Sequence, residues 1–472
     1  MTCQQRRTFL KTSAAVGFGA GTSALNMLGS SNAIADSSSD YKALVCVFLK
    51  GGLDHNDTIL PYDSHSFDAL AKTRSELLRA YRVGSGNSTR DLARMLPLLA
   101  SNIGEFGGRQ FALPANMAAL HPLFEDGELA VLGNVGPLIS PSSRDAIERF
   151  QVEIPENLFS HNDQQSTWMS MGPEGTRQGW GGLMLDRITM QYRNQNSSFA
   201  AVSTSGNDVL LAGNVVQQFS VPLGNNTTPT ILNLPNFLKT AKNSTVMNIM
   251  RSHLMSEGSH DANLYIQDMA RYNHRAISHL ETYEDAMHSG ITPNTAFPRT
   301  SLGEQLSSVA ATIAIRQALG VSRQIFYVSL SGFDTHNEQT ATLPTLQTEI
   351  SEAIASFRSS MNELGVWDNV TLFTAGDFGR TVTDNGNGSD HGWGGHHFIA
   401  GGSVNGGKLY GDLPEYDLGA QMYTRSRGRL IPTTSVEQYA ATLGRWLGLS
   451  EADLKSVFPN LDNFSVPFLD FV

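Results

Sequence analysis

The sequence has few cysteines, no long apolar run beyond its first residues, and fewer basic than acidic side chains. Its two cysteines are Cys3 and Cys46. Since Cys3 lies in the export signal predicted below, Cys46 would have no disulfide partner after cleavage and is expected to be a small core hydrophobe. No later run reaches the roughly 18 apolar residues of a membrane span. The formal net charge is −11. Such an acidic surface repels phosphate backbones, which argues against nucleic acid as a partner.

Residues 1–35 have the pattern of an export signal. Arg6 and Arg7 begin a charged start, a Gly- and Ala-rich stretch follows over 12–28, and residues 33–35 form an Ala-Ile-Ala cleavage pattern. The paired arginines predict the twin-arginine route, with the twin-arginine translocation machinery as a partner. A membrane anchor is the alternative, but this stretch is too short and polar to cross about 30 Å of hydrocarbon. We expect cleavage at the end of this segment and a periplasmic or secreted protein with no stable membrane span.

Strand and helix patterns alternate along the rest of the chain. Strand patterns cover 41–49, 129–134, 324–330 and 370–374, and helical patterns lie within 64–99, 246–287 and 302–319. A stretch rich in Asn, Ser, Thr and Gly predicts a β-rich or irregular insertion near 194–235. The alternation predicts an α/β fold, with a mostly parallel central sheet and helices on both faces. We expect residues 36–472 to form a single domain.

Three predicted strands are followed by acids and glycines. Asp54 follows the first strand, Asp334 and His336 follow another, and Asp377 follows the last, with His391 shortly after it. Ligands of parallel sheets gather at the carboxyl ends of the strands. If these strands are neighbours, the three carboxylates meet there, and their mutual repulsion calls for a cation. The pattern therefore predicts Asp54, Asp334, His336, Asp377 and His391 as metal ligands.

Other interpretations of these residues stay open. Asp54 is equally typical of a helix cap or an Asx turn, and His336 of an exposed loop. Since His396 and His397 are adjacent, at least one of them is expected to pack or to face solvent. The mixed oxygen and nitrogen ligand set suits zinc, manganese or magnesium, whereas carboxylates alone would favour harder cations such as calcium. One or two divalent ions fit the pattern.

A candidate nucleophile, Ser160, precedes a helical pattern. With Asp163 it fits a capping box, and the two roles are compatible. A serine at a helix N-terminus meets free backbone N–H groups and the positive end of the helix dipole, which would favour its alkoxide and bind an anion. Ser160 is thus a hypothetical attacking group. Arg144 and Arg380 are candidates for holding an oxyanion, although surface ion pairing is equally ordinary for them.

The sequence resembles one family over nearly its whole length after the signal. The similar blocks are Phe48-Leu49-Lys50-Gly51-Gly52-Leu53-Asp54, Ser160-His161 with Gln165 and Trp168, Gly332-Phe333-Asp334-Thr335-His336, Asp377-Phe378-Gly379-Arg380-Thr381, Asp390-His391-Gly392-Trp393-Gly394, and Thr434-Ser435-Val436-Glu437-Gln438-Tyr439. Together they resemble domain-of-unknown-function family 1501 of exported bacterial proteins, which belongs to the alkaline phosphatase-like superfamily.

That resemblance implies an exported, metal-dependent hydrolase or transferase of phosphate or sulfate esters, whose substrate is an anionic small molecule or a polysaccharide ester. It places Asp54 and Asp377 on one cation near Ser160, and the remaining three ligands on a second. Phe378 stands where the superfamily commonly has a histidine, which departs from a full two-metal site. A non-catalytic cation- or glycan-binding protein that retains the fold is the alternative.

Overall fold

The computed structural model describes residues 40–191, 193–221 and 263–472, together with positions 223, 249 and 252. The predicted export signal and most of 222–262 lie outside the described residues. The described residues between Asp40 and Val472 form one compact unit.

The centre of the fold is a nine-stranded sheet. The described residues form fourteen strands, nine of which belong to this sheet. They are β1 (Lys42–Lys50), β2 (Leu60–Pro61), β3 (Leu96–Pro97), β4 (Phe111–Leu113), β5 (Leu129–Gly136), β6 (Ala201–Ser203), β7 (Phe219–Ser220), β8 (Arg323–Ser331), β9 (Val370–Gly376), β10 (Arg380–Asp384), β11 (Ser389–His391), β12 (Gly395–Ala400), β13 (Lys408–Gly411) and β14 (Thr434–Ser435). The central sheet has the order β13-β5-β12-β9-β1-β8-β6-β7, and β14 also pairs with β5. β12 is antiparallel to both of its neighbours, and the other pairs are parallel. The short β10 and β11 form a hairpin, and β2, β4 and β3 form a small third sheet.

β1 lies in the middle of the sheet because its sequence is apolar on both faces. Seven consecutive residues of this strand, between Lys42 and Lys50, are buried. Its odd-numbered side chains, such as Val45 and Val47, enter one hydrophobic core, whereas Cys46 and Phe48 enter the other. A strand buried on both faces needs no polar alternation, which is why its sequence reads as a continuous apolar run.

Helices cover both faces of the sheet. They are α1 (Ser64–Thr73), α2 (Ser75–Ala80), α3 (His121–Glu125), α4 (Arg144–Glu148), α5 (His161–Ser170), α6 (Trp180–Met190), α7 (Leu264–Ser289), α8 (Ser301–Ala314), α9 (Gln339–Glu363), α10 (Val436–Leu447) and α11 (Glu451–Val457). Buried side chains of α7, α8 and α9 belong to one core, and those of α5, α6, α10 and α11 belong to the other. The predicted α/β class, a mostly parallel sheet between two helical layers, is confirmed.

Several details differ from the sequence-based expectations. In the described part of the predicted insertion, β6 and β7 are short strands that extend the central sheet at its edge. α9 is a helix of 25 residues that the sequence patterns did not indicate.

Cys46 is a buried free cysteine, as expected. Within the described ranges, no helix combines the length and apolar character that crossing a bilayer requires.

Candidate metal centre

The loops that follow β1, β8 and β9 leave the sheet at the same edge. The last residues of the strands are in register, since Lys50 pairs with Ser331 and Leu49 pairs with Gly376. Gly51 has a φ of 107°, and a Cβ placed on it would lie 2.4 Å from the backbone nitrogen of Asp334. Only glycine fits both this conformation and this contact, and it allows the loop after β8 to approach the loop after β1.

Arg380, at the start of β10, ties these loops together. Its guanidinium is buried and donates to the carbonyl oxygens of Gly51, Gly52, Phe333 and Ser389, and to a carboxylate oxygen of Asp334 at 2.6 Å. These acceptors belong to the loops after β1 and β8 and to β11, and Arg380 itself directly follows the loop after β9. The protein itself therefore occupies the guanidinium, which leaves Arg380 without the free edge that an anionic substrate would need.

Three histidines surround the carboxylate of Asp334. The Nε2 atoms of His336 and His391 lie 3.1 Å and 3.2 Å from Oδ1 of this residue. The Nε2 atom of His161, from the first turn of α5, lies 3.4 Å from Oδ2. His161, Asp334 and His391 each offer one ligand atom, and the three atoms lie within 4.8 Å of one another. The structure thus contains a His/Asp cluster with the composition of a metal site.

The other ring nitrogen of each histidine faces a hydrogen-bond acceptor. Nδ1 of His391 lies 2.7 Å from the carbonyl oxygen of Phe159, which can only accept, so this nitrogen carries a proton. Nδ1 of His336 lies 3.0 Å from Asp390, and Nδ1 of His161 lies 2.6 Å from Asp377. Metal-binding histidines typically have this arrangement, in which an acceptor holds Nδ1–H and the lone pair of Nε2 points at the ion.

Without a cation, the neutral forms of His336 and His391 leave an unfavourable contact. Their Nε2 atoms lie 2.8 Å apart. If both rings carry their proton on Nδ1, two lone pairs face each other. If His336 carries it on Nε2 instead, its Nδ1 lone pair faces the carboxylate of Asp390. Either a proton or a metal ion relieves this repulsion.

The pKa shifts at the cluster oppose protonation of this pair. Burial lowers the pKa of His336 and of His391, and the charge of Arg380 acts in the same direction. The hydrogen bond to Asp377 raises the pKa of His161, although burial opposes it. Burial favours the neutral acid of Asp334, but the hydrogen bond and charge of Arg380 outweigh it, so the pKa of this carboxyl is lowered. An ionised carboxylate beside two neutral imidazoles is an electron-pair-donating set that suits a divalent ion.

Asp377 holds the ring of His161 from the side opposite Asp334, at the Nδ1 atom. Its Oδ2 accepts hydrogen bonds from the Gly51 backbone, from His161 and from Gln165 at 3.0 Å. The residue is fully buried, and its Oδ1 has no hydrogen-bond partner among the described residues. Asp377 therefore touches the cluster through His161, whereas the sequence pattern predicted it as a direct metal ligand.

Asp54 takes the capping role that the sequence left open. Its Oδ1 accepts from the backbone nitrogen of Asn56, and its Oδ2 accepts from Arg74 and from Gln339, both at 2.7 Å. Asp54 and Arg74 form a fully buried ion pair. Because a guanidinium already neutralises this carboxylate, the structure keeps it apart from the His/Asp cluster.

Ser160 lies beside the cluster at the N-terminus of α5. The preceding residue, Phe159, accepts the hydrogen bond from His391, and the following residue is His161. The Ser160 hydroxyl donates to Asp163 at 2.7 Å and makes no capping bond to the helix backbone, so the expected capping box does not form. Phe159 has a φ of 76°, which is strained for a bulky side chain, and such strain clusters at functional sites.

Phe378 forms an apolar wall against the histidines. Its ring centroid lies 4.8 Å from that of His161 and 4.5 Å from that of His391. The ring is nearly fully buried. Phe378 thus shields two rings from water, and the imidazole of His161 approaches the cluster from α5.

Sequence reasoning missed the parts of this site that depend on tertiary contacts. The sequence did not indicate His161 as a ligand, because its position next to Ser160 does not fix where its ring points. It also gave no sign that Asp390 and the carbonyl of Phe159 hold the Nδ1 atoms of two rings. The available signal was that His161 and Gln165 lie four residues apart, one helical turn, so that both reach Asp377.

The comparisons with known proteins give a family and a group of distant structures. The family described as "Protein of unknown function (DUF1501)" matches residues 41–454. No curated protein matches the sequence. The lipoteichoic acid synthase LtaP from Listeria monocytogenes is similar at 8% identity and a TM-score of 0.31, over 89% of this chain and 75% of that one.

Two further structures are similarly distant. The PsFucS1 sulfatase from Pseudoalteromonas sp. has 12% identity and a TM-score of 0.31, over 85% of this chain and 71% of that one. A mutant of alkaline phosphatase PafA has 10% identity and a TM-score of 0.26, over 72% of this chain and 63% of that one. None of these similarities assigns an activity to the protein.

Proposed function

The chain belongs to the DUF1501 family, whose description names no activity, and from its own geometry we propose that it is a metal-dependent hydrolase of phosphate or sulfate esters. The observation that carries this proposal is the convergence of three imidazole Nε2 atoms on Asp334. Each ring has its Nδ1 atom held by an acceptor. The proposed ligands are His161, Asp334, His336 and His391.

The donor set favours zinc. Three imidazole nitrogens and one carboxylate oxygen suit a borderline-soft ion, whereas magnesium and calcium prefer oxygen ligands. A zinc ion here would supply Lewis-acid polarisation of an ester oxygen. Among the described residues, the one group of possible ligands close enough together to share an ion is His161, Asp334 and His391. His336 adjoins this group, with its Nε2 atom 3.1 Å from Asp334, so we propose one ion. Asp54 is left out of the ligand set because Arg74 already pairs with it.

We further propose that Ser160 is the attacking group. The serine lies between Phe159 and His161, both of which contact the cluster, and the free N–H groups of the first turn of α5 point toward an incoming anion. The Ser160 hydroxyl donates a hydrogen bond to the carboxylate of Asp163 at 2.7 Å. That hydrogen bond lowers the pKa of this carboxyl, which keeps it ionised and able to orient the serine oxygen.

The test uses protein that is purified after native export. Metal analysis should find one equivalent of zinc in the wild-type protein, and His391→Ala should lose it. Ser160→Ala should keep the metal and lose turnover of aryl phosphate and aryl sulfate esters. A metal-free wild-type protein whose melting temperature ignores chelators would overturn the metal site. Stoichiometric metal without turnover of either ester would instead favour a cation- or glycan-binding protein.

We also propose that the protein reaches the periplasm or the medium folded, through the twin-arginine route. Replacing Arg6 and Arg7 together by lysine should leave the precursor in the cytoplasm, because that route requires the arginine pair. Lys11→Arg is the matched control and should be exported normally. Undiminished export of the double variant would contradict the proposal.

A further inference from the structure

A loop with three arginines lies next to the metal cluster. Residues 423–430, called here the arginine loop, contain Arg425, Arg427 and Arg429 at alternate positions, in a chain whose net charge is −11. The loop closes on itself, since Tyr423 bridges Leu430. Such a concentration of positive charge in an acidic protein raises the question of what neutralises each guanidinium.

Two of these arginines are neutralised by carboxylates of the protein. Arg425 donates to both oxygens of Glu148, at 2.7 Å and 2.9 Å. Arg427 forms an ion pair with Asp390, the residue that also holds Nδ1 of His336. Both pairs account for the charge of their arginine, so neither guanidinium calls for a ligand.

Arg429 has no such partner. Its Nε donates to the carbonyl oxygen of His391 at 2.9 Å, and its guanidinium lies 4.2 Å from the ring centroid of Phe159. Within the described part of the chain, no carboxylate pairs with it, and its two terminal nitrogens make no hydrogen bond to protein. The side chain of Arg429 is half-buried. A half-buried guanidinium without a counter-charge is stabilised by an anion.

The two contacts also fix the direction of this guanidinium. His391 is a proposed metal ligand, and Phe159 directly precedes the proposed nucleophile. A guanidinium held at Nε and stacked on a ring presents its remaining edge as a planar fork, which matches two oxygens of a tetrahedral anion. Arg380 cannot serve in this way because protein oxygens occupy it.

We propose that Arg429 binds a non-bridging oxygen pair of the phosphate or sulfate group of the substrate, and so selects charged esters over neutral ones. This inference rests on the proposed function, since it concerns the substrate of the same site. Arg429 would act as a specificity-determining residue that holds the anionic group between Phe159 and the metal cluster.

The experiment measures binding of inorganic phosphate and of inorganic sulfate to the exported protein by titration calorimetry. Arg429→Gln should weaken binding by about 10- to 100-fold, because a charge-assisted hydrogen bond pair is lost. Arg429→Lys should recover only part of the affinity, since a point charge cannot replace the fork. Arg425→Gln is the matched control from the same loop and should bind like the wild-type protein. The anion with the larger dependence on Arg429 identifies the ester.

Three outcomes would overturn the inference. They are wild-type affinity in Arg429→Gln, equal weakening in Arg425→Gln, and no binding of either anion to the wild-type protein. If Arg429→Gln does not fold, the comparison of Arg429→Lys with the wild-type protein decides. Zinc is measured in every sample. A wild-type protein that lacks zinc but binds the anion through Arg429 would contradict the metal site alone. A wild-type protein that contains zinc but whose anion binding does not depend on Arg429 would contradict the anion site alone.

Discussion

The three aspartates that follow β1, β8 and β9 have different partners although they lie at one edge of the sheet. Asp54 is neutralised by Arg74, Asp377 holds His161, and Asp334 faces three imidazoles. At the level of the residue, a carboxylate near the proposed metal site can therefore serve the fold, orient a proposed ligand or be a proposed ligand itself. Substitution to asparagine, which keeps the shape and removes the charge, separates these roles.

Asp54→Asn is expected to lower the stability of the protein and to leave its metal content unchanged. The substitution leaves the Arg74 guanidinium buried without a counter-charge, which typically costs about 3–5 kcal/mol. The free energy of unfolding in urea and the zinc content check both parts. Asp126→Asn, at an exposed pair with Arg358, is the control and should cost less than about 1 kcal/mol. Loss of zinc from a folded Asp54→Asn protein would make Asp54 a ligand after all.

Asp377→Asn is expected to weaken metal binding about 10- to 100-fold, because the asparagine holds Nδ1–H of His161 less strongly than a carboxylate does. Competition with a chelator of known zinc affinity measures the change. Asp462→Asn removes a carboxylate that pairs with Lys455 and should have the wild-type affinity. An unchanged affinity in Asp377→Asn would show that His161 needs no orienting acid.

At the level of the element, the sequence predicted the strands better than the contacts between loops. The pattern over 41–49 gave β1 to within one residue, since an uninterrupted apolar run is typical of a strand buried on both faces. It could not show that Arg74, on the loop between α1 and α2, would reach Asp54 and neutralise it. That contact depends on how α1 packs, and helix packing depends on side chains distant in sequence.

α9 shows why a helix was missed. It contains Pro344 within its first turns and begins after Glu338 in a left-handed conformation. Pro344 interrupts a helical pattern in sequence, and Glu338 makes no side-chain capping bond that would mark the start of the helix. In the structure, the buried face of α9, including Ile350, Ile354 and Phe357, packs in one of the two cores, and this burial outweighs the local penalties.

α10 begins with a complete capping box, which gives a prediction at this scale. The Ser435 hydroxyl accepts from the backbone nitrogen of Gln438, whose side chain accepts in return from the Ser435 backbone. Ser435→Ala is expected to destabilise the protein by about 1 kcal/mol, since the first turn loses a buried acceptor. Urea unfolding measures the change. Ser456→Ala, at an exposed hydroxyl of α11, should be nearly neutral, and a loss as large as that of Ser435→Ala would contradict the capping account.

At the level of the whole molecule, buried histidines couple stability to pH. The rings of His55 and His396 meet edge to face, with their centroids 4.5 Å apart, and His397 directly follows His396 in β12. Burial lowers the pKa of His396 to about 3 and, with the charge of His396, that of His397 to about 3. Burial also lowers the pKa of His55. Nδ1 of His396 accepts from the backbone nitrogen of Asn134, so a proton on that atom would break the bond.

The unfolded chain binds protons on these rings near pH 6.5, whereas the folded protein does not bind them until the pH is far lower. Stability is therefore complete above about pH 6.5 and falls as the pH drops below it, by up to about 1.4 kcal/mol per pH unit for each ring. His396→Asn keeps an acceptor for Asn134 and removes the titrating group, so its free energy of unfolding should fall less steeply between pH 6.5 and pH 4.5 in urea titrations. The exposed His65→Asn is the control and should follow the wild-type curve. Parallel curves for His396→Asn and the wild-type protein would mean that this ring is protonated in the folded state, and a proton on Nδ1 would then have displaced the Asn134 hydrogen bond where β5 meets β12.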